Sequence, residues 1–235
     1  MTDEYRLHYA PDNASLIVRL VLEELRLPYT CQLVDRGADA QQSPGYLRLN
    51  PHGLIPVLET PDGPIFETAA ILLWLSGRHG AMAPAEMSPD RAGFLKWLVF
   101  TSNTLHADLR MLFYPGKYIG SGDSHQTQLR HVLRERLHRH LLRLESAAAE
   151  RPPWLGAPRP SVLDCYLACL LRWMALYPAD DDRSWFALAR YPGLQRLCAG
   201  LETRPATAAA QAAEGLGPRP FTSPVYANPP EGSAT

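Results

Sequence analysis

The sequence predicts an α/β unit over residues 1–80 and an all-helical unit over residues 90–214. Three observations carry that division. In the first unit the hydrophobic period switches between strand and helix spacing, giving strand, helix, strand, helix, strand, strand, helix. After a linker at 81–89, marked by Pro84 and Pro89, every periodic segment has helical spacing. From Gly215 on, Pro218, Pro220, Pro224, Pro229 and Pro230 stand in a polar context, so residues 215–235 read as an extended, partly disordered tail.

Residues 5–9 alternate as a short strand, which Pro11-Asp12-Asn13 ends. Leu16, Val18, Leu20, Val21 and Leu25 then fit a helix, with Asp12, Asn13 or Ser15 available as its cap. After the Leu27-Pro28 break, residues 30–34 make a second strand, and a helical turn follows around residues 46–49. Residues 56–60 and 65–66 flank Pro61-Asp62-Gly63-Pro64, a turn composition that joins two strands as a hairpin. Thr68 caps a helix through Ile71, Trp74 and Leu75 to about His79. The first three elements form a βαβ unit, to which the hairpin adds an antiparallel edge.

In the second unit, residues 90–113 and 126–150 carry leucines at helical spacing, and shorter helices are expected at 194–201 and 205–213. The segment 162–174 is the most apolar and should lie at the centre. Residues 126–150 also present Arg130, Arg134, Arg136, His138, Arg139 and Arg143. Glu135 and Glu145 interrupt that face and no aromatics interleave, so a solvated or dimer-facing surface is expected rather than a nucleic-acid one.

Net charge is −1, from 23 basic and 24 acidic residues, so no global field draws the chain to nucleic acid or membrane. The start is acidic and no apolar run is long enough to span a bilayer; neither a secretory signal nor membrane insertion is expected, and a cytoplasmic location fits. The four cysteines show no CxxC pair or metal-ligand grouping. Cys165 and Cys169, four apart on one helical face, should fill core.

Two stretches are far more specific: Asn50-Pro51-His52-Gly53-Leu54-Ile55-Pro56-Val57-Leu58-Glu59 and Phe66-Glu67-Thr68-Ala69-Ala70-Ile71. They resemble the glutathione-binding segment of cytosolic glutathione transferases. Pro160-Ser161-Val162-Leu163-Asp164 resembles that family's capping box on its central helix, where Ser161 caps the backbone and Asp164 reaches back. Tyr191-Pro192-Gly193-Leu194 and Arg204-Pro205-Ala206 look like its C-terminal signature. The likeness spans roughly residues 5–213 and implies a thioredoxin-like first domain and a helical second domain.

The resemblance implies a cis Ile55–Pro56 bond and backbone pairing of Ile55 with the cysteinyl residue of glutathione. Thr68, opening a helix, would hold the γ-glutamyl carboxylate, and Glu67 the neighbouring ammonium. His52 and Arg36 are candidates for the glycyl carboxylate. The helix holding His106, Leu109, Phe113 and Tyr114 would line an electrophile pocket between the domains.

Lowering a thiol pKa from about 8.5 by two units needs about 2.7 kcal/mol. One hydrogen bond plus a helix N-terminus supplies that much. Ser15, at the start of the first helix, is the first candidate donor, Tyr9 at the end of the first strand the second, and the Asn13 amide the third. The bacterial Cys-Ser pattern falls on Ala14 and Ser15, so the cysteine of a mixed-disulfide mechanism is missing. The expected reaction is conjugation of glutathione to a small hydrophobic electrophile, a detoxification chemistry, by a homodimer needing no cofactor or metal beyond glutathione as co-substrate. Glutathione-dependent reduction or isomerisation, and a non-catalytic binding protein on the same fold, are the alternatives.

Overall fold

The computed structural model describes residues 4–234. The acidic start, on which the absence of a secretory signal rests, falls partly in residues 1–3 and so lies outside the described residues, as does residue 235. Strands β1 (Tyr5–Tyr9), β2 (Tyr29–Leu33), β3 (Val57–Thr60) and β4 (Gly63–Phe66) form one sheet in the order β2-β1-β3-β4. The β1–β2 pair is parallel, and the β1–β3 and β3–β4 pairs are antiparallel. Alternation in β1 sends Tyr5, Leu7 and Tyr9 into the main core. On that face lie α1 (Ser15–Glu24) and α3 (Thr68–His79): Arg19 stacks over the Tyr9 ring and Trp74 meets Tyr5 edge to face. His8 points to the other face, against Tyr46 of α2 (Pro44–Leu47).

The second half is helical. A single rod runs from α4 (Arg91–Phe100) through a π-helical stretch, Thr101–His106, into α5 (Ala107–Phe113). A short α6 (Gly116–Ile119), a long α7 (Asp123–Ala149), α8 (Val162–Leu176), α9 (Pro192–Glu202) and α10 (Pro205–Glu214) follow. The apolar α8 is buried along almost its whole length, as its composition predicts, with Cys165 and Cys169 inside the core. Its capping box is formed: Ser161 Oγ accepts from the Leu163 and Asp164 amides, and Asp164 accepts from the Ser161 amide. Helix α8 packs against α1, and α10 does likewise.

On α7 the basic face is partly neutralised within the chain. Arg134 and Arg130 reach Asp181 at 2.8 and 3.4 Å, and Arg136 reaches Asp108 at 3.0 Å.

The tail differs from the expectation of partial disorder. It has no regular secondary structure, yet Leu216 and Phe221 are fully buried and its chain crosses from one half to the other. Near its end Glu231 accepts a hydrogen bond from the Tyr9 hydroxyl. Proline-rich composition here encodes an extended strap held by its few apolar residues and by side chains of the body.

Candidate functional site

Strand direction gathers the predicted residues at one end of the sheet. Because β3 runs against β1 and β4 against β3, β1 and β4 point the same way, and β2 follows β1. His8, Val57 and Phe66 share one row of the ladder, and Tyr9 pairs with Leu33. Just beyond that row the chain presents the 10–14 loop after β1, Arg36 after β2, Ile55 and Pro56 before β3, and Glu67 and Thr68 after β4. Helices α1 and α3 therefore both begin at this end. The Leu16 and Ile17 amides of α1 are taken by the Asn13 and Ala14 carbonyls at 2.8 and 3.3 Å, so it is α3 that offers first-turn N–H groups a helix cannot satisfy itself.

The 50–56 loop is held by its own side chains. Asn50 Nδ2 and the Tyr46 hydroxyl both donate to the Leu54 carbonyl at 2.8 Å, and Asn50 Oδ1 accepts from the His52 amide at 3.0 Å. Gly53 has φ +60°, and a Cβ there would stand 2.5 Å from Gln42 Nε2 and 3.1 Å from the Gln41 carbonyl, so the loop requires glycine. The Ile55–Pro56 bond is cis. Exposed His52 meets Phe66 edge to face.

Glu67 adopts φ +68°, ψ +112°, a conformation costly for a side-chain-bearing residue. It leaves the carboxylate exposed at the mouth of α3 while Thr68 starts the helix, nearly buried. Thr68 is thus the first helical residue, and the capping position expected of it belongs to Glu67. Arg36, half-buried, brings Nη2 to 3.5 Å from the Tyr114 hydroxyl at the end of α5, a contact between the two halves.

The donors expected at the thiol end are placed otherwise. Ser15 has no solvent exposure: its Oγ donates to the Ala10 carbonyl at 3.0 Å and accepts from the Ala10 amide at 3.3 Å, closing the β1–α1 loop from inside. The Tyr9 phenol lies under α1 and donates to Glu231; burial, then that hydrogen bond and the Glu231 charge, raise its pKa well above the usual range. Neither hydroxyl is offered to a ligand. Asn13 is half-exposed, and its Oδ1 accepts from the Ala14 amide at 2.7 Å, so its amide nitrogen is not used in that bond and remains a donor. The N-cap of α1 is Ala14, without a side-chain cap, contrary to the choice among Asp12, Asn13 and Ser15.

On the second half, beside Arg36, Phe113 and Tyr114 meet edge to face and are partly exposed. His106 Nδ1 lies 2.8 Å from the Tyr166 hydroxyl, and burial, then the Arg110 charge, lower its pKa to about 4. Its imidazole is therefore neutral at physiological pH. Leu109 is fully buried, so it lines no open pocket there. Among the described residues no cluster of His, Cys, Asp or Glu could hold a metal. No described helix is long and apolar enough to cross a membrane.

One group of residues escaped the sequence reading. Asp12 Oδ1 accepts from Arg172 Nε and Trp173 Nε1, both at 2.8 Å; Oδ2 accepts from Arg172 Nη2 and the Tyr177 hydroxyl, both at 2.9 Å. The signal was present in Arg172, a charge on the most apolar helix, which must find a partner to be buried.

Models of the glutathione S-transferase N-terminal and C-terminal domains match residues 14–78 and 124–200. The disulfide-bond oxidoreductase YfcG of Escherichia coli is 30% identical over 229 residues, covering 90% of this chain and 96% of that one. A glutathione S-transferase of Xanthomonas campestris is 30% identical over 220 residues, covering 90% and 99%. Among solved structures, a sphingomonad glutathione S-transferase complexed with glutathione has a TM-score of 0.73 at 28% identity, covering 90% of this chain and 100% of that one. A glutathione transferase of Burkholderia graminis, with two glutathione molecules bound per subunit, has a TM-score of 0.74 at 26% identity, covering 88% and 87%. The chain belongs to the glutathione transferase family.

Proposed function

We propose that this chain adds the thiolate of glutathione to a small apolar electrophile. The observation that supports this most is the convergence, at one sheet end, of the α3 N-terminus, the start of α1 and the Ile55–Pro56 loop, which Arg36 links to Tyr114 and so to the aromatic end of α5. Thr68 and the first turn of α3 hold the γ-glutamyl carboxylate, Glu67 the ammonium, and Ile55 the cysteinyl backbone. His52, on the same loop as Ile55, takes the glycyl carboxylate, and Arg36, which reaches Tyr114, serves the cleft. The Asn13 amide, at the positive end of the α1 dipole, donates to the sulfur, taking the place first expected of Ser15. The thiolate then forms a C–S bond with the electrophilic carbon, and the leaving group departs with its electron pair. A neutral His106 keeps the opposite wall apolar enough for such a substrate.

A second reading keeps the glutathione site and makes the acceptor a disulfide. It is favoured by the relative named as a disulfide-bond oxidoreductase and by the two glutathiones per subunit in the Burkholderia protein. In it, thiolate attack on a disulfide sulfur forms one new S–S bond and releases one thiolate. Cys31, the exposed cysteine of the described residues, sits mid-strand in β2 opposite Leu7, so a second glutathione rather than a protein thiol would take part.

Steady-state assays with a panel of halonitroarenes, enones and a glutathione-reducible disulfide decide between them. Saturable glutathione-dependent halide release or enone addition is the result expected. Turnover of the disulfide alone would make the second reading the activity. Glutathione binding without turnover of any acceptor would contradict both and leave a binding protein.

A further inference from the structure

Building on the reading of Asn13 as the thiol-side donor, we infer that Asp12 and Arg172 form a positioning device for the 10–15 loop, completed by the C-terminal tail. Asp12 immediately precedes Asn13 and has φ +50°, a left-handed conformation that Asp adopts more readily than most residues and that its partners here hold in place. Those partners come from the other half of the molecule. Four donors on α8 and just beyond it, two from Arg172 and one each from Trp173 and Tyr177, saturate the Asp12 carboxylate, and both charged side chains are fully buried. The Asp12 amide donates to Glu214 Oε2 at 2.8 Å at the end of α10, and Glu214 in turn pairs with Arg19 Nε at 2.7 Å.

The tail supplies the rest. Arg172 Nη1 donates to the Leu216 and Pro220 carbonyls at 3.3 and 3.0 Å, and Nη2 to the Val225 carbonyl at 2.9 Å. A guanidinium has five N–H donors, and a buried one left unpaired is costly. Carbonyls of residues 216–225 therefore do for Arg172 what water would do at a surface. Trp173 and Tyr177 also stand behind the opposite wall of the cleft: the Tyr177 ring meets Phe113, and the Trp173 ring meets His106. Thus the loop that carries Asn13, the cleft wall and the tail share one hydrogen-bonded frame. An orienting frame acts on geometry rather than on affinity, since glutathione's carboxylates are held elsewhere and only the donors to sulfur move with the loop.

The experiment compares the full chain with two variants, the chain ending at Gly217 and Tyr177→Phe. Glutathione dissociation constants are taken by calorimetry, kcat with a halonitroarene, and the bound thiol's titration by ultraviolet absorbance. Both variants should bind glutathione within about threefold of the full chain. Their kcat should fall, roughly tenfold for the shortened chain and less for Tyr177→Phe, with the thiol midpoint rising by up to about one pH unit. A purely structural role would lower the melting temperature and move neither kcat nor the midpoint; that result overturns the inference, as does a loss confined to the dissociation constant. If the shortened chain fails to fold, Tyr177→Phe, which removes a single hydroxyl, decides alone. A full chain that binds glutathione and leaves its thiol titrating as in free solution overturns the parent reading and this one with it. A lowered midpoint that survives both variants overturns this one only.

Discussion

At the start of α1, where the proposed function puts the thiol, the polar side chains available are not equivalent once placed. Ser15 spends both its donor and its acceptor capacity on Ala10, and Tyr9 spends its hydroxyl on Glu231, which leaves Asn13 half-exposed with a free amide nitrogen. Asn13→Ala should therefore lower kcat by about ten- to a hundredfold with little change in glutathione affinity. Ser15→Ala should instead cost stability, about 1–3 kcal/mol for stranding the buried Ala10 groups, and leave the pH–rate profile in place. Denaturant melts alongside pH profiles separate the two outcomes; a profile displaced by Ser15→Ala but not by Asn13→Ala would reverse the assignment. His106 gives a second test. Its folded pKa, about 4, lies below the ordinary 6.5, so its contribution to stability is full above pH 6.5 and is lost as pH falls toward 4. The difference in stability between the native chain and His106→Gln should shrink across that window, by about 1.36 kcal/mol for each pH unit, and stay flat above it. The types and spacing of Glu67 and Thr68 were legible in the sequence. The orientation of Ser15 was not, because a serine that caps a helix and one that closes the preceding loop look alike before the chain is folded.

Among the elements, what matters is direction. The hairpin turn at Pro61-Asp62 reverses β3 into β4, and that reversal brings the start of α3 to the same sheet end as the start of α1. Period and turn chemistry were enough to read these elements from the sequence. They could not reveal the π-helical stretch at Thr101–His106, a single widened turn too short to register against the 3.6-residue period on either side, or the packed tail, whose anchors Leu216 and Phe221 are too sparse to form a pattern. Gly53 shows how an element-level requirement reaches the site. With φ +60° and no room for a Cβ, Gly53→Ala should cost more than about 1 kcal/mol of stability. Because the displaced 50–56 loop carries Ile55, glutathione affinity should fall as well. An alanine variant with unchanged affinity and melting point would mean that the loop adapts freely.

At the scale of the molecule, the two halves share one continuous apolar core and are joined by buried charge as well. Arg172 meets Asp12 at 2.8 Å and Arg19 meets Glu214 at 2.7 Å, both pairs bridging the first half to the second with little or no exposure. Breaking one such pair from one side commonly costs about 3–5 kcal/mol, so the halves are expected to unfold together rather than in sequence. Their joining brings Arg36 of one half to Tyr114 of the other, and the proposed site takes its glutathione-holding residues from the first and its aromatic side from the second. Catalysis there requires the assembled site to ionise the thiol it holds. The most direct measurement is an ultraviolet titration of glutathione bound to the full chain. A midpoint about one to two pH units below the ordinary thiol value near 8.5 is the outcome expected, since one charge-assisted hydrogen bond and a helix N-terminus supply about that much. Glutathione that binds and titrates as it does in free solution would contradict thiolate activation at this site, leaving the fold in place and the catalytic reading without its foundation.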